Sequence, residues 1–188
     1  MTDNWVGIDY GSKLAGTTVI CHKKKDTLCF MQSAKKQDAD AFISTALTEL
    51  KPKVVFLDAP LSLPSAYFGK GDNFFYRQCD VETRAMSPMF LGGLTARAMK
   101  LKQGNSGVDF KETYPAYFIK TILKLKEDYN KKQKYDDKIL SKLNLDYSVS
   151  DIANWHQFDA LCCWLTGERY VNERAVKIGN LEEGLIVV

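Results

Sequence analysis

Three acidic side chains stand where apolar ones would be expected. Asp9 closes the run Trp5-Val6-Gly7-Ile8 and shares, by strand alternation, a face with Trp5 and Gly7, while Asp58 closes Val54-Val55-Phe56-Leu57 and shares a face with Val54 and Phe56. Asp159 lies in the segment Ile152 to Leu165, apolar nearly all round and so expected to be a buried helix, where it projects between Ile152, Cys163 and Thr166. Unpaired, each acid is costly to ionise, so an acid in such surroundings needs a cation. Oxygen ligands without thiolates favour Mg²⁺ or Mn²⁺ over zinc. Paired cations of this kind catalyse in-line displacement at phosphorus, and carboxylates hold them while leaving positions for water and phosphate oxygens. In this scheme Asp9 is the bridging ligand, and Asp58 and Asp159 each serve one metal.

Two further residues are second choices as catalytic groups. Glu112, in Glu112-Thr113-Tyr114-Pro115, shares its side of a strand with Phe110 and Tyr114; it is either a further ligand or an edge-strand carboxylate paired with Lys111 or an arginine. His156 precedes Asp159 by one helical turn, on roughly the same face, and is either a ligand or a structural hydrogen bonder. Nucleic-acid contacts are sought at Lys13, Lys70, Arg77, Arg84, Lys131 and Lys132. Arg77, Asp80 and Arg84 fall on one helical face, which equally suits an internal salt-bridge network. Eight lysines crowd residues 120 to 142, forming either a solvated face or a phosphate-binding patch. Phe74, Phe75 and Tyr76 either stack on bases or plug the core.

The elements that must position these groups follow an α/β order. Trp5 to Tyr10, Ala15 to Cys21 and Thr27 to Met31 read as a three-strand meander, residues 39 to 50 as a helix stopped by Pro52, and Val54 to Leu57 as a strand buried on both faces. Residues 61 to 75, with Pro64, Gly69 and Gly71 among aromatics, read as a mobile loop, followed by helices within 76 to 86 and 89 to 102. A fifth strand covers Val108 to Tyr114, a helix runs from Pro115 to about Leu125, and another lies near 134 to 143. Ser150 caps a last long helix ending at Gly167, and a short hairpin turns around Asn180 to Gly184. Strands one, four and five are parallel neighbours in a mixed five-stranded sheet of order 3-2-1-4-5, so Asp9 and Asp58 emerge at one sheet edge.

Composition narrows the class. A chain of 188 residues with 45% hydrophobic side chains forms one domain, spanning residues 1–188. With 26 Lys plus Arg against 23 Asp plus Glu, the net charge of +3 marks neither a nucleic-acid coat protein nor a membrane-surface protein. Five cysteines, an odd count with no C-x-x-C pair, argue against a disulfide framework or zinc site and suit a reducing cytoplasm. The start, Met1-Thr2-Asp3-Asn4, lacks a basic run leading into an apolar stretch, and no apolar run approaches a membrane span, so a cytoplasmic protein without membrane association is expected.

Taken together, Val6-Gly7-Ile8-Asp9, Leu57-Asp58-Ala59-Pro60-Leu61-Ser62-Leu63-Pro64, Arg77-Gln78-Cys79-Asp80 with Arg84, Glu112-Thr113-Tyr114-Pro115-Ala116, Phe158-Asp159-Ala160-Leu161 and the closing Glu183-Gly184-Leu185-Ile186 resemble domain of unknown function 429, a family of predicted ribonuclease H-like nucleases. The resemblance spans nearly the whole chain. It implies a ribonuclease H-like fold and a metal-dependent nuclease that hydrolyses phosphodiester bonds of nucleic acid. The broader superfamily, junction-resolving nucleases included, carries acids on strand one, strand four and the last helix, where Asp9, Asp58 and Asp159 fall. Residues 65 to 76 are richer in glycine and aromatics than the family pattern, so no substrate preference is carried over.

Two other readings fit some of these residues. Gly7-Ile8-Asp9-Tyr10-Gly11-Ser12 also suits the first strand and turn of sugar kinases and actin-like ATPases, but those folds need two lobes, and no second glycine-rich phosphate loop follows. A catalytically silent ribonuclease H-like domain that binds nucleic acid or protein is the alternative. The intact acid set argues against it, since decay would be free to remove costly buried charges.

Overall fold

A computed structural model describes residues 4–188; Met1, Thr2 and Asp3, part of the start read above, lie outside the described residues. The meander forms as expected: β1 (Trp5–Asp9), β2 (Val19–Lys24) and β3 (Thr27–Gln32) pair antiparallel in turn. Helix α1 (Ala39–Leu50) starts where the Asp38 carboxylate accepts hydrogen bonds from the Asp40 and Ala41 amides, and ends at Lys51, whose left-handed φ of 47° precedes Pro52. The apolar run becomes β4 (Val54–Asp58), parallel to β1 with Asp9 opposite Asp58.

The insert keeps one expected helix, within 76 to 86, and breaks the other. Residues 61 to 77 are mostly turns around one short 3₁₀ segment, Ser65–Phe68, and are tied down: Glu183 accepts from the Ser65 amide and hydroxyl, and the Ser62 hydroxyl donates to the Glu183 carbonyl. Helix α2 spans Gln78–Thr83. The helix expected over 89 to 102 is broken into α3 (Pro88–Leu91) and α4 (Gly93–Gly104) at Gly92, whose φ of 45° and ψ of −101° no ordinary helical residue adopts.

Strand β5 (Asp109–Thr113) lies parallel to β4. The helix expected after Pro115 is α5 (Pro115–Tyr117) continued by one wide π-turn, Phe118–Ile122, so it stops short of Leu125. The one expected near 134 to 143 shrinks to the single turn α6 (Lys138–Ser141). Between them the chain is irregular, because its lysine-rich stretch offers no continuous apolar stripe to bury.

Strand β6 (Ser148–Val149) adds to the far side of β3, and α7 (Trp155–Val171) follows. Its cap is Asn154, whose side chain accepts from the His156 and Gln157 amides, and not Ser150. Gly167 does not end the helix; a Cβ there would sit 2.4 Å from the Trp5 ring, so the glycine serves the close approach of helix to sheet. The closing hairpin, β7 (Lys177–Asn180) and β8 (Gly184–Val187), is part of the sheet, with β8 parallel to β5. The sheet therefore has eight strands, ordered β6-β3-β2-β1-β4-β5-β8-β7, and the expected 3-2-1-4-5 order forms its centre.

The sheet divides two apolar layers. Val6, Ile8, Val55 and Leu57 pack with α1 and α4 on one face, and Trp5, Phe56 and α7 with Phe158, Leu161 and Trp164 on the other. Each such side chain, fully buried, is worth roughly 1.5–3 kcal/mol. Those on α7 together outweigh the cost of carrying one charged residue into the layer. No helix among the described residues is long and apolar enough to cross a membrane.

Candidate metal centre

Three elements deliver the acids. Parallel pairing in register puts Asp9 beside Asp58 at the carboxyl ends of adjacent strands, with both side chains on the α7 face. Gly7 lets the helix close on that face: a Cβ there would lie 2.2 Å from the Trp164 amide nitrogen and 2.5 Å from the Ala160 carbonyl oxygen. Helix α7 thus rests directly on β1, and Asp159 arrives opposite Asp9. One ligand oxygen from each of Asp9, Asp58 and Asp159 falls within 4.8 Å of the others.

The surroundings are largely buried and strongly negative. Asp159 is fully buried, Asp9 nearly so, and Asp58 half-buried. His156 Nδ1 meets Asp9 Oδ2 at 2.7 Å, and this bond, against the opposing effect of burial, raises the imidazole pKa. The Tyr129 hydroxyl donates to Asp159 Oδ1 at 2.7 Å, and the Lys131 ammonium forms an ion pair with Asp159 Oδ2. Burial pushes Asp159 up to about 6 despite Lys131, and burial followed by the charges of Asp9 and Asp159 pushes Asp58 well above the usual carboxylate range. Against the cost of its own burial, Asp159 and then Asp9 and Asp58 hold the Lys131 pKa up. Among the described residues no hydrogen bond or ion pair reaches the Asp58 carboxylate.

These residues fit a hard divalent cation. The donors are all carboxylate oxygens, one acid has no partner of its own, and the cluster already draws an ammonium group from a neighbouring loop.

Glu112 is not brought into the cluster. It pairs in register with Leu57, on the α4 face of the sheet, whereas Asp58 lies one residue further on the α7 face. There its carboxylate accepts from Arg77 Nη1 and Nη2 at 2.7 and 2.6 Å and from the Leu61 amide at 2.9 Å. Arg77 is itself fully buried, bonded also to Asp80 through Nε and Nη2 at 3.0 and 2.6 Å and to Ser62 Oγ at 2.8 Å. Its donors are spent inside the protein, which corrects its assignment as a phosphate contact; the expected salt-bridge network forms for Arg77 and Asp80, with Glu112 in it and Arg84 outside it.

The other basic candidates lie at the surface. Arg84 caps α2 in the left-handed region at φ 55° and lines a cleft with Lys120 and Lys126. Lys13 is paired with Asp38 at 3.2 Å and Lys70 with Glu182 at 3.1 Å, both in the open, where such pairs hold little energy. Lys132 is exposed beside Lys131. Phe74 and Phe75 are exposed, not core plugs.

Two groups meet Asp159 that its own helix does not foretell. Tyr129 carried no signal, since nothing local shows that an irregular segment folds back over α7. Lys131, expected as a phosphate contact, is instead paired with Asp159. A third cluster, in which Tyr10 donates to Asp40 and Arg97 clamps the same carboxylate with Nη2 at 2.7 Å, was likewise invisible from spacing.

The central order 3-2-1-4-5, with β2 antiparallel to β1, is a ribonuclease H-like fold, and acids ending β1 and β4 and on the final long helix give it a three-carboxylate cluster. No family model matches the chain, and no curated protein does. Among solved structures it is similar to the Thermus thermophilus RuvC structure, at 14% identity over 89% of this chain and 96% of that chain, with a TM-score of 0.43.

Proposed function

We propose that the protein is a divalent-metal-dependent nuclease that hydrolyses phosphodiester bonds of nucleic acid, in keeping with its resemblance to the domain 429 family. The observation that carries this reading is the convergence of Asp9, Asp58 and Asp159 within 4.8 Å from three separate elements. Asp9, Asp58 and Asp159 would hold Mg²⁺ or Mn²⁺. When bound, such ions supply a water of lowered pKa and stabilise charge on the phosphate oxygens. The chain's own groups do the rest. His156 keeps a proton at Nδ1 against Asp9, fixing the orientation of that carboxylate. Tyr129 fixes Asp159 in the same way, and Phe158 and Trp164, both fully buried, seat the helix that carries Asp159. Arg84, Lys120, Lys126 and Lys132 offer charge to neighbouring phosphates, which suits a nucleic-acid partner.

One observation favours the silent domain instead: Lys131 already neutralises Asp159. Asp58 speaks against it, because a domain that never meets a cation would be more stable with an uncharged residue there. The test is calorimetry and melting with Mn²⁺, followed by incubation with labelled single-stranded and duplex DNA and RNA. At about 100 times its dissociation constant the metal should add about 2.7 kcal/mol of stability, and cleavage should stop in EDTA. No heat of binding and no melting change at millimolar Mn²⁺ would remove the proposal.

A further inference from the structure

A cleft of about 390 Å³ opens directly beside the cluster, with Asp58 and Lys131 on its wall. Most of the remaining lining is apolar or aromatic: Tyr114, Met86, Leu91 and Leu94 come from the loop before α5, the approach to α3, α3 itself and α4. The size lies within the range that encloses small organic ligands, about 300–1,000 Å³. Its chemistry is two-sided, with charge where a phosphate would meet the carboxylates and an apolar slot immediately next to it.

A second feature adjoins the slot's wall in the chain, one residue before Leu91. Phe90, 63% exposed on the same short helix as Leu91, stacks on Phe75, 58% exposed, with ring centroids 6.0 Å apart and planes 27° from parallel. Ser87 holds the pair in place by donating to the Phe75 carbonyl. Met86, on the cleft wall, is itself 60% exposed. Soluble proteins rarely display such a patch without a partner, and flat rings beside a charged groove are what unpaired bases stack on.

We propose that the cleft receives one unpaired nucleobase from the strand whose phosphate meets the carboxylates, and that Phe75 and Phe90 stack a neighbouring base. The substrate is then single-stranded or locally unpaired nucleic acid. A base held in a duplex cannot reach the slot without leaving its stack, at an unstacking cost that a single strand avoids. This rests on the nuclease reading above and deepens it by naming the substrate class.

The test compares wild-type binding, with Ca²⁺ in place of Mn²⁺ to separate binding from cleavage, to three probes: a five-nucleotide DNA strand, the same strand abasic throughout, and a short duplex. Fluorescence anisotropy should give the intact strand an affinity about tenfold or more above both others, since the abasic strand keeps every phosphate and loses only the bases. Ala85→Trp, which fills the cleft from its wall, should erase that preference while leaving Mn²⁺ binding by calorimetry unchanged; Met86→Glu at the exposed rim should do so in part. Equal affinity for intact and abasic strands, or tighter duplex binding, overturns the base slot while Mn²⁺-dependent cleavage leaves the nuclease reading standing. Failure of every probe to bind, with no cleavage in Mn²⁺, takes both down.

Discussion

Asp58 is the residue that most sharply separates a metal centre from a structural charge cluster. Asp9 has His156, Asp159 has Tyr129 and Lys131, and Asp58 faces two carboxylates with no partner among the described residues. Asp58→Asn keeps the shape and removes one of three repelling charges. The metal-free variant should therefore melt at or above the wild-type temperature, while the stabilisation by Mn²⁺ is lost. Melting curves in EDTA and in Mn²⁺ read both at once. A drop of several degrees in EDTA would make Asp58 a structural group, and an undiminished Mn²⁺ effect would remove it from the ligand set. Arg77 illustrates the opposite condition, a charge with every donor engaged. Its bidentate grip on Glu112 and Asp80 anchors the insert to the sheet, a role a lysine could not reproduce.

At the scale of elements, the distance between β1 and α7 sets the geometry of the centre, and Gly7 sets that distance. Gly7→Ala would place a methyl group 2.2 Å from the Trp164 nitrogen, against backbone that cannot rotate away. The helix must lift, carrying Asp159 and His156 from Asp9. We expect a loss of stability on the order of 3 kcal/mol, as for severe overpacking, together with weaker Mn²⁺ binding in the fraction that remains folded. Denaturant midpoints and calorimetry on the folded variant measure the two separately. Wild-type values for both would show that the helix is not held by this contact. The loop after β4 works through a different device: Glu183, from the hairpin turn, accepts from Ser65 and Gln78 and so fixes the wall of the cleft to the sheet edge.

For the whole molecule, the cluster makes metal-free stability depend on pH in a definite sense. Unfolded, Asp58 and Asp159 titrate near 3.9, whereas burial holds Asp159 at about 6 and Asp58 well above the usual range in the folded chain. Between those values the folded state binds protons that the unfolded state has released, so stability falls as pH rises. His156 acts in the same direction: raised by Asp9, its contribution is full below about 6.5 and is lost as pH rises through its folded value. Asp38, Asp40, Asp136 and Glu183, held below their ordinary values, act oppositely at pH below roughly 4.5, and His22, lowered by burial, opposes the trend up to about 6.5 as one half-buried group against three. In EDTA the protein should therefore melt at a higher temperature near pH 5 than near pH 7.5. With saturating Mn²⁺ the order should reverse, because the metal requires the ionised carboxylates. A higher melting temperature at pH 7.5 in EDTA would mean that the acids are not crowded together as described.

Much of this was written locally. Alternation placed Asp9 with Trp5 and Gly7, and Asp58 with Phe56, on what proves to be the α7 face, and the apolar girth of residues 152 to 165 announced a buried helix carrying Asp159 and His156. Period and hydropathy determine such things because they depend only on neighbours a few residues away. Glu112 shows where that reach ends. It is an acid on a central strand, as Asp9 and Asp58 are, but the register of β5 on β4 turned it to the opposite face and into the grip of Arg77. Register is decided between strands, and one residue of offset exchanges the faces. The same holds for Tyr129 and Lys131, which reach Asp159 across 30 and 28 residues of chain from an irregular segment without periodicity, and for the closing hairpin, which joined the sheet because β5 left an unpaired edge. The amino-acid sequence determined which acids would stand at strand ends and on the buried helix. Tertiary structure alone decided which of them meet, because meeting depends on pairing and packing between segments that share no local pattern.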